Sequence, residues 1–337
     1  MQVPFPALTH LRLRYDREPE PVIPDTFLGG SSQSAPRLQY LRMEGIPFPG
    51  IPNLLLSVTH LVDLYLHQIP HSGYISPEAM ANCLSVLINL DTLSLGFLSP
   101  QSRPNMESQH PPPITWHILP GLTTIYFTGA SEYLDDLVGR IDAPRLEYLS
   151  ITFFFQLNFD TPHLAQFISR TPRLQEPNEI DVVMDVITEV VLYCTPGDRR
   201  VEILCEEPRG QHQLSFVTQV CTMCLPTLPT AESLRLRDFF DEPYLDMSWK
   251  DDVENDQWLE LLRPFTAVRN LYISEEFQPN IASALQELVG GRTTEVLPSL
   301  QKIFMIPFDS SRSFKEAFGQ FVAARRVSGY PIDVLPS

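Results

Sequence analysis

The chain is 337 residues long, 43% hydrophobic, and carries 41 Asp and Glu against 24 Lys and Arg, a net charge of −17. A field of that sign repels phosphate backbones and anionic headgroups, which excludes nucleic acid and membrane surfaces as expected partners. There is no spanning apolar run and no secretory leader pattern, and the five scattered cysteines (Cys83, Cys194, Cys205, Cys221, Cys224) are too few and odd for a disulfide framework, so a soluble protein of the cytoplasm or nucleus is expected.

The first predicted strand comes almost at once, around Leu8, Leu11 and Leu13, with no polar cap ahead of it in residues 1–7. Residues 16–35 are rich in Pro, Gly and Ser and read as loop. A second strand follows at Leu38, Leu41 and Met43, then a stretch at 51–57 with room for only a short helical turn, then a third strand at Leu61, Leu64 and Leu66. Ser76-Pro77-Glu78 opens a helix, with serine as N-cap, proline at the first helical position and an acid in the first turn. Its apolar residues Met80, Cys83, Leu84 and Leu87 keep helical spacing up to the fourth strand at Leu90, Leu93 and Leu95. Residues 99–113, with five prolines, read as an insertion.

A fifth strand lies at Leu122, Ile125 and Phe127, and a helix beginning at Ser131 puts Leu134, Leu137, Val138 and Ile141 on one stripe. The sixth strand, Leu146, Leu149 and Ile151, is followed by a helix from Thr161-Pro162 with Leu164, Phe167 and Ile168 inward. From 174 to 230 this spacing fails. Residues 180–184, 189–193 and 201–205 still alternate like strands, and 214–225 repeats like a helix with Cys221 and Cys224 on its apolar stripe. The spacing returns at Ala231, Leu234, Leu236, at Val268, Leu271, Ile273 and at Leu300, Ile303, Met305, with helices around Trp258 and Ile281 between them. Residues 311–328 form a last amphipathic helix (Phe314, Phe318, Phe321, Val322) closed by Gly329, and 332–334 a final edge strand.

The nine strand sets share one hexamer, apolar at its first, fourth and sixth places, five of them led by a proline two residues earlier (Pro6, Pro36, Pro120, Pro144, Pro298). The fourth and sixth places face the same side of a strand. Their first positions are 30, 23, 29, 32, 24, 85, 37 and 32 residues apart, against roughly 20–29 for a leucine-rich repeat. The expected architecture is therefore α/β: an irregular leucine-rich-repeat solenoid (horseshoe) with a mainly parallel concave sheet and helices or loops on the convex side. It fills 1–337 as a single domain, with clearer repeats over 5–173 and 231–309, degenerate ones over 174–230, and a C-terminal cap helix and tail over 310–337.

Between the leucines, the third and fifth places of each hexamer and the residue after it face outward. Tyrosine fills five of these 27 positions and arginine five. These residue types dominate protein–protein hot spots, although tyrosine and threonine also simply suit an exposed strand face. The outward residues assigned to partner binding are Arg12, Tyr40, Arg42, Tyr65, Tyr126, Tyr148, Arg235 and Tyr272.

No other cluster rises above a structural reading. Cys221-x-x-Cys224 lacks a second pair with metal spacing, and His60, His67 and His71 lack ligand partners. The acid-rich run 238–256, eight acids and one lysine, reads as a solvated loop, with docking of a basic partner as the alternative. No nucleophile-elbow, phosphate-loop or zinc-helix motif occurs, so no catalytic residue, metal ligand or cofactor is assigned.

The hexamers, with the phrases Asp142-Ala143-Pro144-Arg145-Leu146-Glu147-Tyr148-Leu149 and Phe167-Ile168-Ser169-Arg170-Thr171-Pro172-Arg173-Leu174, make residues 5–310 resemble the leucine-rich-repeat region of fungal (basidiomycete-type) F-box-like proteins. The resemblance implies the target-recognition part of an F-box-type ubiquitin-ligase subunit, a non-catalytic protein-binding solenoid. The chain departs from that family in one respect: nothing ahead of Leu8 forms an F-box, so cullin-ligase components are expected partners only if an F-box is supplied elsewhere. The alternatives are a stand-alone structural or decoy interaction protein and an enzyme with its site in the insertions.

Overall fold

The backbone follows from the alternation of apolar and polar residues in the hexamers. The structure is a computed structural model that describes residues 5, 7–15, 37–47, 50–99, 116–154, 160–184, 188–194, 197–205, 212–225, 228–237, 253–306 and 312–336. The described residues fall into two compact units, one running to Phe154 and including Asp160–Leu174, the other beginning at Gln175.

In the first unit, strands β1 (His10–Arg14), β2 (Tyr40–Glu44), β3 (Asp63–Ile69), β4 (Thr92–Phe97), β6 (Thr124–Gly129) and β8 (Tyr148–Phe153) form one sheet in that order, every pair parallel. Two short strands, β5 (His117–Ile118) and β7 (Ile141–Asp142), pair separately. Helices α1 (Ile51–Ser57), α2 (Pro77–Leu84), α3 (Ser131–Val138) and α4 (Pro162–Arg170) follow β2, β3, β6 and β8. Parallel neighbours require such crossovers.

The hexamer leucines stack in register: Leu11, Leu41, Leu64, Leu93, Ile125 and Leu149 form one row, and Leu13, Met43, Leu66, Leu95, Phe127 and Ile151 the next. From β2 onward all are at most 3% exposed, whereas Leu11 and Leu13 in the first strand are only half-buried. A recurring backbone clamp fixes the register. The carbonyl one residue before a strand accepts two successive N–H groups from the next repeat: Gln39 from Val62 and Asp63, Val62 from Asp91 and Thr92, Asp91 from Thr123 and Thr124, Thr123 from Glu147 and Tyr148. The leading leucine of a hexamer closes a turn onto the carbonyl three residues back at Leu8, Leu61, Leu90, Leu122, Leu146 and Leu300, as Leu61 does to Val58 and Leu146 to Ala143.

Helix starts behave as their residues dictate. The Ser76 hydroxyl accepts from the Ala79 N–H at 3.2 Å, capping α2. Thr161 makes no such bond for α4. A carboxylate from the preceding repeat replaces it, Asp135 accepting from the Leu164 N–H at 2.8 Å and lying 2.7 Å from His163 Nδ1. Burial raises the Asp135 carboxyl above its usual range in spite of these bonds. At the far end of α4, Arg170 donates to the carbonyls of Val138 and Ile141. One expectation changes: residues 51–57 form a seven-residue helix rather than a short turn, because Ile51, Leu54 and Leu55 all bury against the core and packing decides the fate of short helices.

The second unit holds β9 (Pro177–Met184), β10 (Thr188–Cys194), β11 (Arg199–Cys205), β12 (Ser233–Arg237), β13 (Asn270–Ser274), β14 (Lys302–Ile306) and β15 (Asp333–Pro336), in the spatial order β11-β10-β9-β12-β13-β14-β15. From β9 to β15 the strands are parallel and repeat the stack: Ile180, Leu234, Leu271, Ile303 and Val334 share a row. Strand β10 runs antiparallel to both β9 and β11. The stretch 174–230, read as degenerate repeats, is thus in part an antiparallel meander, since three residues between Met184 and Thr188 cannot hold a crossover. Leu174 nevertheless closes the usual turn, onto Thr171 at 3.1 Å, and is fully buried.

Helix α5 (His212–Gln219) continues into a π-helical turn at Val220–Cys224. Helix α6 (Asn255–Leu262) starts with a reciprocal Glu254–Gln257 capping box, α7 spans Gln278–Gln286 and α8 Arg312–Val327. Phe318 and Phe321 of α8 are buried and Gly329 ends it at φ 87°; the side chain of Phe314 lies outside the described residues. Arg325 is fully buried, and with no carboxylate paired to it among the described residues it donates to the carbonyls of Thr293, Pro298 and Leu300 and lies 5.5 Å from the Tyr330 ring.

Removing one leucine from a shared row should be costly. Leu149→Ala, at a fully buried position, should lower unfolding free energy by about 2–5 kcal/mol, measured by urea denaturation, while Ser150→Ala on the opposite face should leave it within about 0.5 kcal/mol.

Candidate functional site

Because side chains alternate along a strand, fixing the leucine rows inward fixes the residues between them outward in rows of their own. In the first unit the central outward row is Arg12, Arg42, Tyr65, Ser94, Tyr126 and Ser150. On one side of it runs His10, Tyr40, Asp63, Thr92, Thr124 and Tyr148. Six of the eight assigned residues, Arg12, Tyr40, Arg42, Tyr65, Tyr126 and Tyr148, therefore meet on one face.

Their rings touch. His10 stacks on Tyr40 at 5.7 Å, Tyr40 lies 5.4 Å from Tyr65, and Tyr126 meets Tyr148 edge to face at 5.3 Å. The Arg42 guanidinium sits 6.0 Å from the Tyr65 ring centre and 3.2 Å from the Glu44 carboxylate, which Arg14 also approaches at 3.6 Å. Between the tyrosines of β3 and β6 the small residues Thr92 and Ser94 are buried. His67 is 2.7 Å from the Ser94 hydroxyl, and burial, with Arg42 nearby, pushes its ring toward the neutral form. Burial likewise raises the Tyr65 hydroxyl. The outward residues of β4, β6 and β8 carry no charged side chain.

The outward face of the second unit has different chemistry. Arg235 Nε lies 2.6 Å from the Glu179 carboxylate, and its guanidinium covers the Tyr272 ring at 4.7 Å. Tyr272 in turn stacks on Phe304 at 4.5 Å with planes 10° apart. Arg237 grips Asp181 with both nitrogens, Nε to Oδ1 at 2.8 Å, and the Asp181 side chain is only 3% exposed. Arg200 pairs with Glu202 at 2.6 Å. Arg235 and Tyr272, assigned from sequence as open contact residues, are thus tied to each other and to Glu179. The acids were missed because they lie where the hexamer fails; the alternation of Glu179 and Asp181 with buried Ile180 and Val182 was the available signal. Glu189 on β10 is raised above its usual range, first by burial and then by the carboxylates of Glu202 and Asp181.

The five cysteines are buried and form no disulfide, and burial pushes the Cys221 thiol far up. Among the described residues no group of three or more His, Cys, Asp or Glu could hold a metal ion, and no helix is long and apolar enough to cross a membrane. The acidic run 238–252 and the insertion 100–113 lie outside the described residues, as does the loop 16–35; Glu254 at the end of the acidic run serves as the α6 cap.

No protein-family model matches the chain, and no curated protein does either. Among solved structures, the leucine-rich repeat-containing protein LegL7 from Legionella pneumophila is similar at 12% identity over 88% of this chain and 83% of its own, with a TM-score of 0.30. A likeness that distant bears no weight; the repeat architecture stands on this chain's own register.

Glu189 makes the electrostatics testable. Its folded-state pKa lies above its unfolded value, so folding favours the protonated form; that stability is complete below the unfolded pKa and lost as pH rises through the folded one. Glu189→Gln should therefore raise the melting temperature at pH 7, and the gain over wild type should vanish as pH falls below the ordinary carboxylate range, followed by circular dichroism.

Proposed function

We propose that the chain is a non-catalytic protein-binding solenoid that holds its partner against the outward faces of its sheets. The observation that carries this reading is two groups of touching side chains on one face, His10, Tyr40, Arg42 and Tyr65 over β1 to β3 and Tyr126 with Tyr148 over β6 and β8, where Tyr126 is 39% exposed although it neighbours Tyr148. Large rings presented on a rigid strand lose little conformational freedom on binding, which is why such residues anchor interfaces. The sequence resemblance to fungal F-box-like proteins is what supports reading the partner as a protein selected for ubiquitination, with this chain as the recognition part. Recovery of a cullin and its adaptor on affinity purification from the native host supports that context; their absence favours a stand-alone decoy or structural role.

The binding face separates from the core by mutation. Tyr126→Ala combined with Tyr148→Ala should weaken capture of partner proteins about tenfold or more without lowering the melting temperature, measured by pull-down with quantitative mass spectrometry and thermal denaturation. Unchanged capture would sink the assignment of this face.

A further inference from the structure

The central outward row of the first unit is chemically graded. It starts with two guanidiniums, Arg12 and Arg42, on neighbouring strands, and continues as Tyr65, Ser94, Tyr126 and Ser150 without a charge of either sign. No carboxylate stands in this row. Glu44 and Asp63 sit in the flanking rows, and the single Glu44 carboxylate is already shared by Arg14 and Arg42. Arg12 is exposed, and among the described residues no carboxylate pairs with it. The Arg42 side chain is still 26% exposed beside the carboxylate it shares, so its guanidinium can take a further acceptor arriving over the row. In the second unit Arg235, Arg237 and Arg200 each have a carboxylate of their own, whereas in the first Arg14 and Arg42 divide one between them.

From this row we infer that the first unit takes an extended peptide lying across its strands, with Asp or Glu side chains at one end, over Arg12 and Arg42, and an uncharged stretch over Tyr65 to Ser150. The inference deepens the protein-binding reading and rests on it. Length follows from geometry. Strands lie ~4.8 Å apart, so the five intervals from β1 to β8 span ~24 Å, the reach of about seven residues at ~3.3 Å each. The acidic end is fixed by charge complementarity with the paired guanidiniums, which bind carboxylates through directed, charge-assisted bonds. The uncharged remainder follows from the row beyond Arg42, which offers neither a cation for a further acid nor a carboxylate for a base, and in a protein of net charge −17 a further acid is also repelled by the rest of the chain.

Display selection tests this with the full-length chain as bait and a random library of linear nine-residue peptides as the probe. The wild type should enrich peptides with Asp or Glu clustered at one end and five or so uncharged positions following, and their binding should weaken as salt rises. Arg12→Gln with Arg42→Gln, both outward substitutions checked by an unchanged melting temperature, should abolish the acidic preference and weaken the selected peptides about tenfold. Enriched peptides that lose binding on Tyr126→Ala with Tyr148→Ala but show no acidic end would overturn this inference and leave the protein-binding reading standing. An acidic preference that survives in the double arginine variant also overturns it. Peptides indifferent to both pairs of substitutions, or no enrichment at all, overturn the inference; capture of intact proteins, measured separately, then decides whether the broader reading falls with it.

Discussion

The structure depends on one constraint: leucines three and five residues after a common turn must land at the same height in every repeat. The turn supplies this, because the carbonyl before each strand accepts two N–H groups from the following repeat and so holds neighbouring strands without slippage. Once held, Leu41, Leu64, Leu93, Ile125 and Leu149 close into one interior layer that no single repeat could bury alone. Insertions between repeats alter loop length without disturbing the layer, and this is how spacings from 23 to 37 residues coexist in one fold.

The same constraint produces the surface. A strand that cannot slip cannot exchange its faces, so the residues between the leucines form ordered outward rows whose chemistry is set by the sequence alone. The two units use that freedom differently. In the second, acids from β9 cancel the arginines of β12, and Asp181 is held so deep that its partner Arg237 is structural. In the first, arginines share too few acids, and the strands beyond β3 present hydroxyls and rings without charge. Stability and recognition therefore draw on opposite sides of the same strands.

Much of this was legible from spacing. All nine hexamers are strands, and Ser76, Ser131 and Pro162 mark real helix starts; the ring contacts of Tyr40 with Tyr65 and of Tyr126 with Tyr148 add a proximity that spacing alone did not state. Three things were not legible, each for a physical reason. The antiparallel placement of β10 depends on a three-residue connection that alternation alone does not reveal. The Asp135 cap of α4 and the Arg170 and Arg325 anchors act between segments 25 or more residues apart, so no local pattern encodes them. The pairing of Arg235 with Glu179 joins a regular hexamer to a stretch where the hexamer fails, which hid its partner.

The most direct test of the account is thiol accessibility along one strand, since the native cysteines are all buried and give little background. Single cysteines placed at Tyr148, Leu149, Ser150, Ile151 and Thr152 would be labelled with a maleimide under native conditions and again in denaturant. The account predicts fast labelling at 148, 150 and 152, with 149 and 151 reacting only on unfolding. Equal labelling at all five positions in the folded protein, or protection at the even ones, would contradict it.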